Sequence, residues 1–204
     1  MKSSSKYFTT IIFFFILAII VVPVYSSPGN RLCSWHHISF GVNPYNFKNE
    51  RSANGHGFTI GYTYSLQRNS NNFISFQLSR SFEVPAPFAP YHSPLESLNE
   101  VALLYGKPSN NKHLHLSFTI GLGVIAGINR GKWLGTIGSE SYSCEKLAYY
   151  SIGIPMELQL NSNASGSCGV GLRLFGNINF EQPIWGLALL FKIGKQENST
   201  QDQS

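Results

Sequence analysis

The sequence predicts an all-β fold: an eight-stranded antiparallel, up-and-down, transmembrane β-barrel. Three observations carry that expectation. The chain opens on an export-type segment, eight later segments alternate apolar and small or polar residues, and only 12% of residues are charged while 14% are aromatic. A soluble barrel must cover its outside with charge, and soluble domains carry about twice this fraction. Tyr, Trp and Phe, by contrast, favour bilayer interfaces.

Lys2 and Lys6 precede the apolar run from Ile11 to Val22, and Pro23 ends it, with small residues near Ser26. This pattern predicts a signal peptide over 1–26, because the run is short for a membrane anchor. Residues 27–34 read as an N-terminal extension, 35–194 as the barrel and 195–204 as a disordered polar tail. Without Lys2 and Lys6 the 15 basic residues become 13, against 10 acidic ones. They are scattered, so nothing supports a nucleic-acid partner.

The strands follow from period two. The bulky parity holds Ile38, Phe40 and Val42; then Phe58 to Leu66; Ile74 to Phe82; Val101, Leu103 and Tyr105. It continues through Leu114 to Ala126, Ala148 to Leu160, Val170 to Phe180 and Trp185 to Ile193. Of these 41 positions 39 are apolar, the exceptions being Arg80 and Gly176. Gly, Ser, Thr, Asn and Gln dominate the opposite parity. Such a face fills a narrow lumen well and covers a soluble surface poorly, so the bulky face is assigned to lipid.

Polar turns at 67–72, 107–112 and 161–167 alternate with longer links at 83–97 and 127–147. That alternation fits an outer-membrane barrel with both termini in the periplasm of a Gram-negative-type bacterium. Pro155 falls inside a strand, cannot donate to a ladder, and predicts a bulge. Arg80 reads as lying near the outer strand end, its stem snorkelling toward charged head groups.

The runs Asn99-Glu-Val-Ala-Leu-Leu-Tyr-Gly106, Gly153-Ile-Pro-Met-Glu-Leu-Gln-Leu160 and Gly169-Val-Gly-Leu-Arg-Leu-Phe-Gly-Asn-Ile-Asn179 resemble small outer-membrane β-barrel proteins of the Bacteroidetes type. The resemblance covers most of 99–194. It implies fold and location and adds little on activity, the group being largely uncharacterised.

Parity turns Glu100, Glu157, Arg173 and Lys192 into the lumen, where isolated ions cost several kcal/mol. An ion-pair network that fills the barrel is the expected reading, a gate in a narrow pore the alternative. His115 and Ser117 also face inward, and this His-x-Ser resembles part of the acyl-transfer site of lipid A deacylases. The pair lies next to a periplasmic turn, away from outer-leaflet lipid, so ordinary lumen residues are the better reading. Cys33, Cys144 and Cys168 match no metal spacing, and no metal or cofactor is implied. With Cys33 and Cys168 both near the periplasmic end, either they form a disulfide or all three cysteines are free. The expected role is non-enzymatic, structural or surface-binding. Its partners would be outer-membrane lipids and lipopolysaccharide, with a surface ligand at loops 83–97 and 127–147.

Overall fold

The computed structural model describes residues 33–45, 55–69, 72–85, 91–108, 114–137, 141–162 and 168–195. The segment assigned to a signal peptide and the residues after 195 lie outside the described residues. Nine strands follow in order: β1 (Cys33–Tyr45), β2 (Gly55–Asn69), β3 (Asn72–Val84), β4 (Tyr91–Ser93), β5 (Ser97–Pro108), β6 (Leu114–Ile137), β7 (Ser141–Ser162), β8 (Cys168–Asn179) and β9 (Ile184–Lys195). All but β4 pair antiparallel with their sequence neighbours, β1 pairs with β9, and the eight strands close into a barrel. Closure is what lets strands cross hydrocarbon, since every backbone donor and acceptor finds a partner within the ring.

The two faces are sorted as the alternation demands. On β1, His37, Ser39 and Asn43 are buried inside, while Ile38, Phe40 and Val42 are exposed outside. On β9, Ile184, Ala188 and Leu190 face in, while Trp185, Leu187, Leu189, Phe191 and Ile193 face out. Neighbouring outward rings meet across strands, as Phe40 does with Phe191 at 6.3 Å and Phe58 with Phe82 at 5.7 Å. Phe76 and Val101 share the outward parity yet are buried.

Three expectations are corrected. The link at 127–147 is not a loop: β6 and β7 run 24 and 22 residues and continue as a ribbon beyond the ring. Twenty-four residues rise about 80 Å along a strand, or about 60 Å across the membrane at a 40° tilt, against an apolar band of about 25 Å. Within the 83–97 link, β4 adds in parallel to the ribbon, Tyr91 opposite Ser141 and Ser93 opposite Ser143. Secondly, Pro155 causes no bulge. Pairing runs from Ile120↔Met156 to Gly123↔Gly153 in one register, lapsing only where Gly121 and Leu122 pass Pro155 and Ile154. The missing donor is absorbed by skipping two ladder positions. Register shifts occur instead at Arg130–Gly135, where Gly135 takes a positive φ of 146°.

Thirdly, Cys33 and Cys168 are not bonded, and all three cysteines are free. Cys33 sits on β1 and Cys168 on β8, with β9 between them. Two strand spacings amount to about 10 Å, beyond the roughly 7 Å that a disulfide spans.

Close approach of β5 to β6 makes Gly121 sensitive. A Cβ there would lie 2.0 Å from the Leu103 carbonyl oxygen, whereas at Gly176 the nearest atom is 3.4 Å away. Gly121→Ala is therefore expected to destabilise the barrel by about 2 kcal/mol, and Gly176→Ala by less than about 0.5 kcal/mol. Urea unfolding in lipid bilayers compares the two; equal midpoints would refute the difference.

Candidate functional site

The lumen holds most of the buried polar chemistry, arranged in layers from the terminal end to the opposite mouth. At mid-depth Arg173 on β8 is 1% exposed and pairs with Glu157 on β7 through Nη2 and Oε1. Its Nη1 donates to Ser39 Oγ at 2.8 Å. Gln159 Nε2 donates to the other Glu157 oxygen at 2.8 Å, so that carboxylate accepts on both sides. The guanidinium carbon lies 5.0 Å from the centre of the Phe175 ring. Gly61 makes room for this group, since a Cβ there would stand 2.5 Å from Ser39 Oγ and 3.0 Å from Arg173 Nη1.

Glu100 occupies the next layer. Its carboxylate accepts from Asn177 Nδ2 at 2.6 Å and from Ser79 Oγ at 3.2 Å. From the level of Arg173 up past Glu100, Leu98, Ile125, Phe175, Ile184 and Ala188 form an apolar cluster across the bore, with Tyr149 packed against it.

The mouth is closed by groups that sequence reading missed. Arg130 bonds Glu83 through its guanidinium and the Pro94 carbonyl through Nε at 2.9 Å. The Arg130 backbone N–H donates to Glu96 Oε1 at 3.2 Å, and the Glu96 N–H donates to Glu83 Oε2 at 3.2 Å. β5 pairs with β6 only as far as Ile128, so the Glu96 carboxylate takes over where the ladder stops. Tyr149 Oη donates to Gln182 Oε1 at 3.2 Å, and Asn179 ties the β8–β9 turn through Gln182. Glu83 was legible, because it continues the inward parity of Ser79 and Ser81. Arg130 was not, because the register shifts that begin beside it break the period that would have located it.

The remaining predicted residues separate. Lys192 does not join the Glu157–Arg173 pair or Glu100. It pairs in register with His37 and Gly169 toward the terminal end, and its Nζ stands 4.6 Å from the Trp35 ring centre. Asn177, which holds Glu100, lies opposite Ile184, eight residues from Lys192 along β9. That is about 26 Å of strand, far beyond a lysine stem. Ser117 is buried in the lumen opposite Gln159. The backbone of His115 pairs with Asn161, and its side chain lies outside the described residues. Among the described residues no group of three His, Cys, Asp or Glu is placed to hold a metal.

No family model matches the sequence, and no curated protein matches it. Among solved structures the chain is similar to neisserial surface protein A, at 9% identity and a TM-score of 0.57, over 80% of this chain and 97% of that one. It is also similar to Ail, the attachment invasion locus protein of Yersinia pestis, at 10% identity and a TM-score of 0.50, over 81% and 98%. These likenesses show the fold, a closed eight-stranded barrel of the outer-membrane kind. Nothing in them supports the Bacteroidetes-type resemblance.

Removing one member of a buried pair strands the other's charge, at a cost of about 3–5 kcal/mol. Glu157→Gln is expected to lower barrel stability by about that much, while Glu157→Leu combined with Arg173→Met recovers most of it. Unfolding in bilayers measures both; a double variant weaker than the sum of the two single changes would contradict the pairing.

Glu96, in the link outside the strands, is pushed above the usual carboxylate range by burial, and Glu83 adds to this while Arg130 opposes it. A raised folded value means the folded state holds its proton more tightly than the unfolded chain. Stability is therefore lost as pH rises above the ordinary carboxyl value of 4.5. Glu96→Gln keeps an acceptor for Arg130 and is expected to flatten the fall in melting temperature between acidic and neutral pH. An unchanged slope would contradict this.

Proposed function

We propose that this chain is a non-enzymatic outer-membrane barrel of a Gram-negative bacterium, exported with loss of residues 1–26. Its filled lumen serves as a rigid mount for a surface-contact ribbon. One observation carries the reading: an ion pair, an apolar cluster and a charged cap occupy the bore, while the β6–β7 ribbon stands beyond the ring. Arg173 is paired with Glu157 and lies on the Phe175 ring of the Leu98–Ile125–Phe175 cluster, and the Arg130–Glu83–Glu96 cap closes the mouth. The ribbon exposes Trp133 at 60% and Leu134 at 68%, with Lys132 and Lys146 beside them. Exposed aromatic and basic groups on a rigid support suit contact with another surface. The lumen ion pair acts in this reading as filling that orders the wall, and the likeness in fold to an attachment protein of Yersinia agrees with a surface role.

The enzyme reading is weaker. Ser117 is buried inside the barrel, and its register neighbours are Pro108 and Gln159 rather than an acid. An acyl-transfer serine needs a base oriented by a carboxylate and access to its lipid substrate.

Two measurements test the proposal. In planar bilayers the purified chain is expected to give no single-channel steps, and regular steps would favour the pore. In cells, replacing 131–146 by a short turn is expected to leave the heat-modifiable folded band intact and to lower adherence to protein-coated surfaces several-fold. Unchanged adherence would overturn the surface role.

A further inference from the structure

The outward wall carries one charge that its own strand does not explain. Arg80 on β3 is exposed, and its outward row continues past it through Phe82 to Val84, the latter exposed at 45%. Arg80 is therefore not at the strand end. Four residues of strand remain beyond it, about 13 Å along β3 and about 10 Å across the membrane at a 40° tilt. On either side, in register, stand Ile60 of β2 and Asn99 of β5. Toward the terminal end the same sector holds Leu78 and Val101, which face each other.

The polar neighbours lie on one strand only. Glu100, next to Asn99, turns inward to Asn177, so the outward positions of β5 above Val101 are Asn99 and Ser97. The result is a polar notch in the rim of the apolar wall, with Arg80 at its floor and Phe82 and Ile60 around it. Of the acids of this end, Glu83 and Glu96 are buried and bonded to Arg130, while Glu145 lies on β7 and Glu181 in the β8–β9 link. Among the described residues no carboxylate pairs with Arg80.

A guanidinium facing hydrocarbon is most costly at the midplane and less so toward the interface. A stem that snorkels reaches the head-group level, where the abundant anions are phosphates. Arginine presents a planar fork of donors that matches two phosphate oxygens at once, and Asn99 adds an amide donor at the same height.

We propose that Arg80 and Asn99 form a binding site for the phosphate group of a lipid in the outer leaflet. The occupant is membrane-anchored: its acyl chains lie along Leu78 and Leu103 while the phosphate sits in the notch. Leu103 is exposed on the outer wall below the covered Val101, which gives the chains apolar surface on β5 beside Leu78 of β3. This inference rests on the membrane-spanning reading, which vesicle flotation tests separately.

The experiment uses the full chain in phosphatidylcholine nanodiscs containing lipid A, followed by native mass spectrometry of the released protein. The wild type is expected to retain lipid A, and Arg80→Gln to lower the bound fraction about tenfold, the scale of one lost charge-assisted contact. Arg80→Lys is expected to fall between them, because it keeps the charge and loses the fork. Millimolar inorganic phosphate is expected to leave the retained lipid in place. Equal retention by wild type and Arg80→Gln would overturn the site, and displacement by inorganic phosphate would reassign it to a free anion. Heat-modifiable mobility reports folding of each variant. Should Arg80→Gln fail to fold, Asn99→Leu decides, with several-fold weaker retention expected and unchanged retention refuting the notch.

Discussion

A sheet surrounded by hydrocarbon cannot keep an open edge, and this constraint governs the molecule. Each unpaired backbone group would cost several kcal/mol there, so the strands must close into a ring. With eight strands the ring is narrow, just wide enough for side chains to fill its interior. Every inward residue then competes for a small volume, which is why Gly61 stands beside Arg173 and why a Cβ at Gly121 would strike the β5 backbone. The need to close sets the bore, and the bore sets what fills it.

Filling by polar groups carries its own demand. Arg173 lies deep inside and cannot reach bulk water, so its charge is tolerable only beside Glu157, with Ser39 and Phe175 completing its surroundings. Such a pair adds little net stability over apolar packing, yet its geometry is demanding. It ties β8 to β7 and to β1 across the lumen, linking strands on both sides of the β7–β8 closure. At the mouth the same logic recurs where the ladder ends. Glu96 stands in for the missing β5 partner of Arg130, so the transition from ring to ribbon is capped by side chains.

How much of this the sequence disclosed depends on the reach of each signal. Period two is local and survives wherever one face meets lipid, so strand positions and the inward parity of Glu157 and Arg173 were readable. Relations between strands are not local. Cys33 and Cys168 share an end of the barrel, but only the ring order reveals β9 between them. Lys192 and Glu100 share a face but not a depth. The ribbon was hidden for another reason: past Arg130 the register shifts and both strands leave the bilayer, so neither alternation nor hydrophobicity marks them as strands. Pro155 misled because a missing donor is usually absorbed by an extra residue, whereas here two ladder positions are left unpaired.

Arg80 and Arg173 show the same side chain under opposite boundary conditions. Arg173 is walled in by protein, so evolution of the site required partners on neighbouring strands, and the structure supplies Glu157, Ser39 and a glycine-made gap. Arg80 faces outward, and among the described residues the chain supplies only a neighbouring amide and a break in the apolar row above Val101. A charge left without a protein partner on a lipid-facing wall would be a pure cost if the surroundings were uniform hydrocarbon. It ceases to be one when an anion belongs to the solvent itself. The bilayer is such a solvent at head-group level, which is where the proposed site sets the Arg80 stem beside the polar notch on β5.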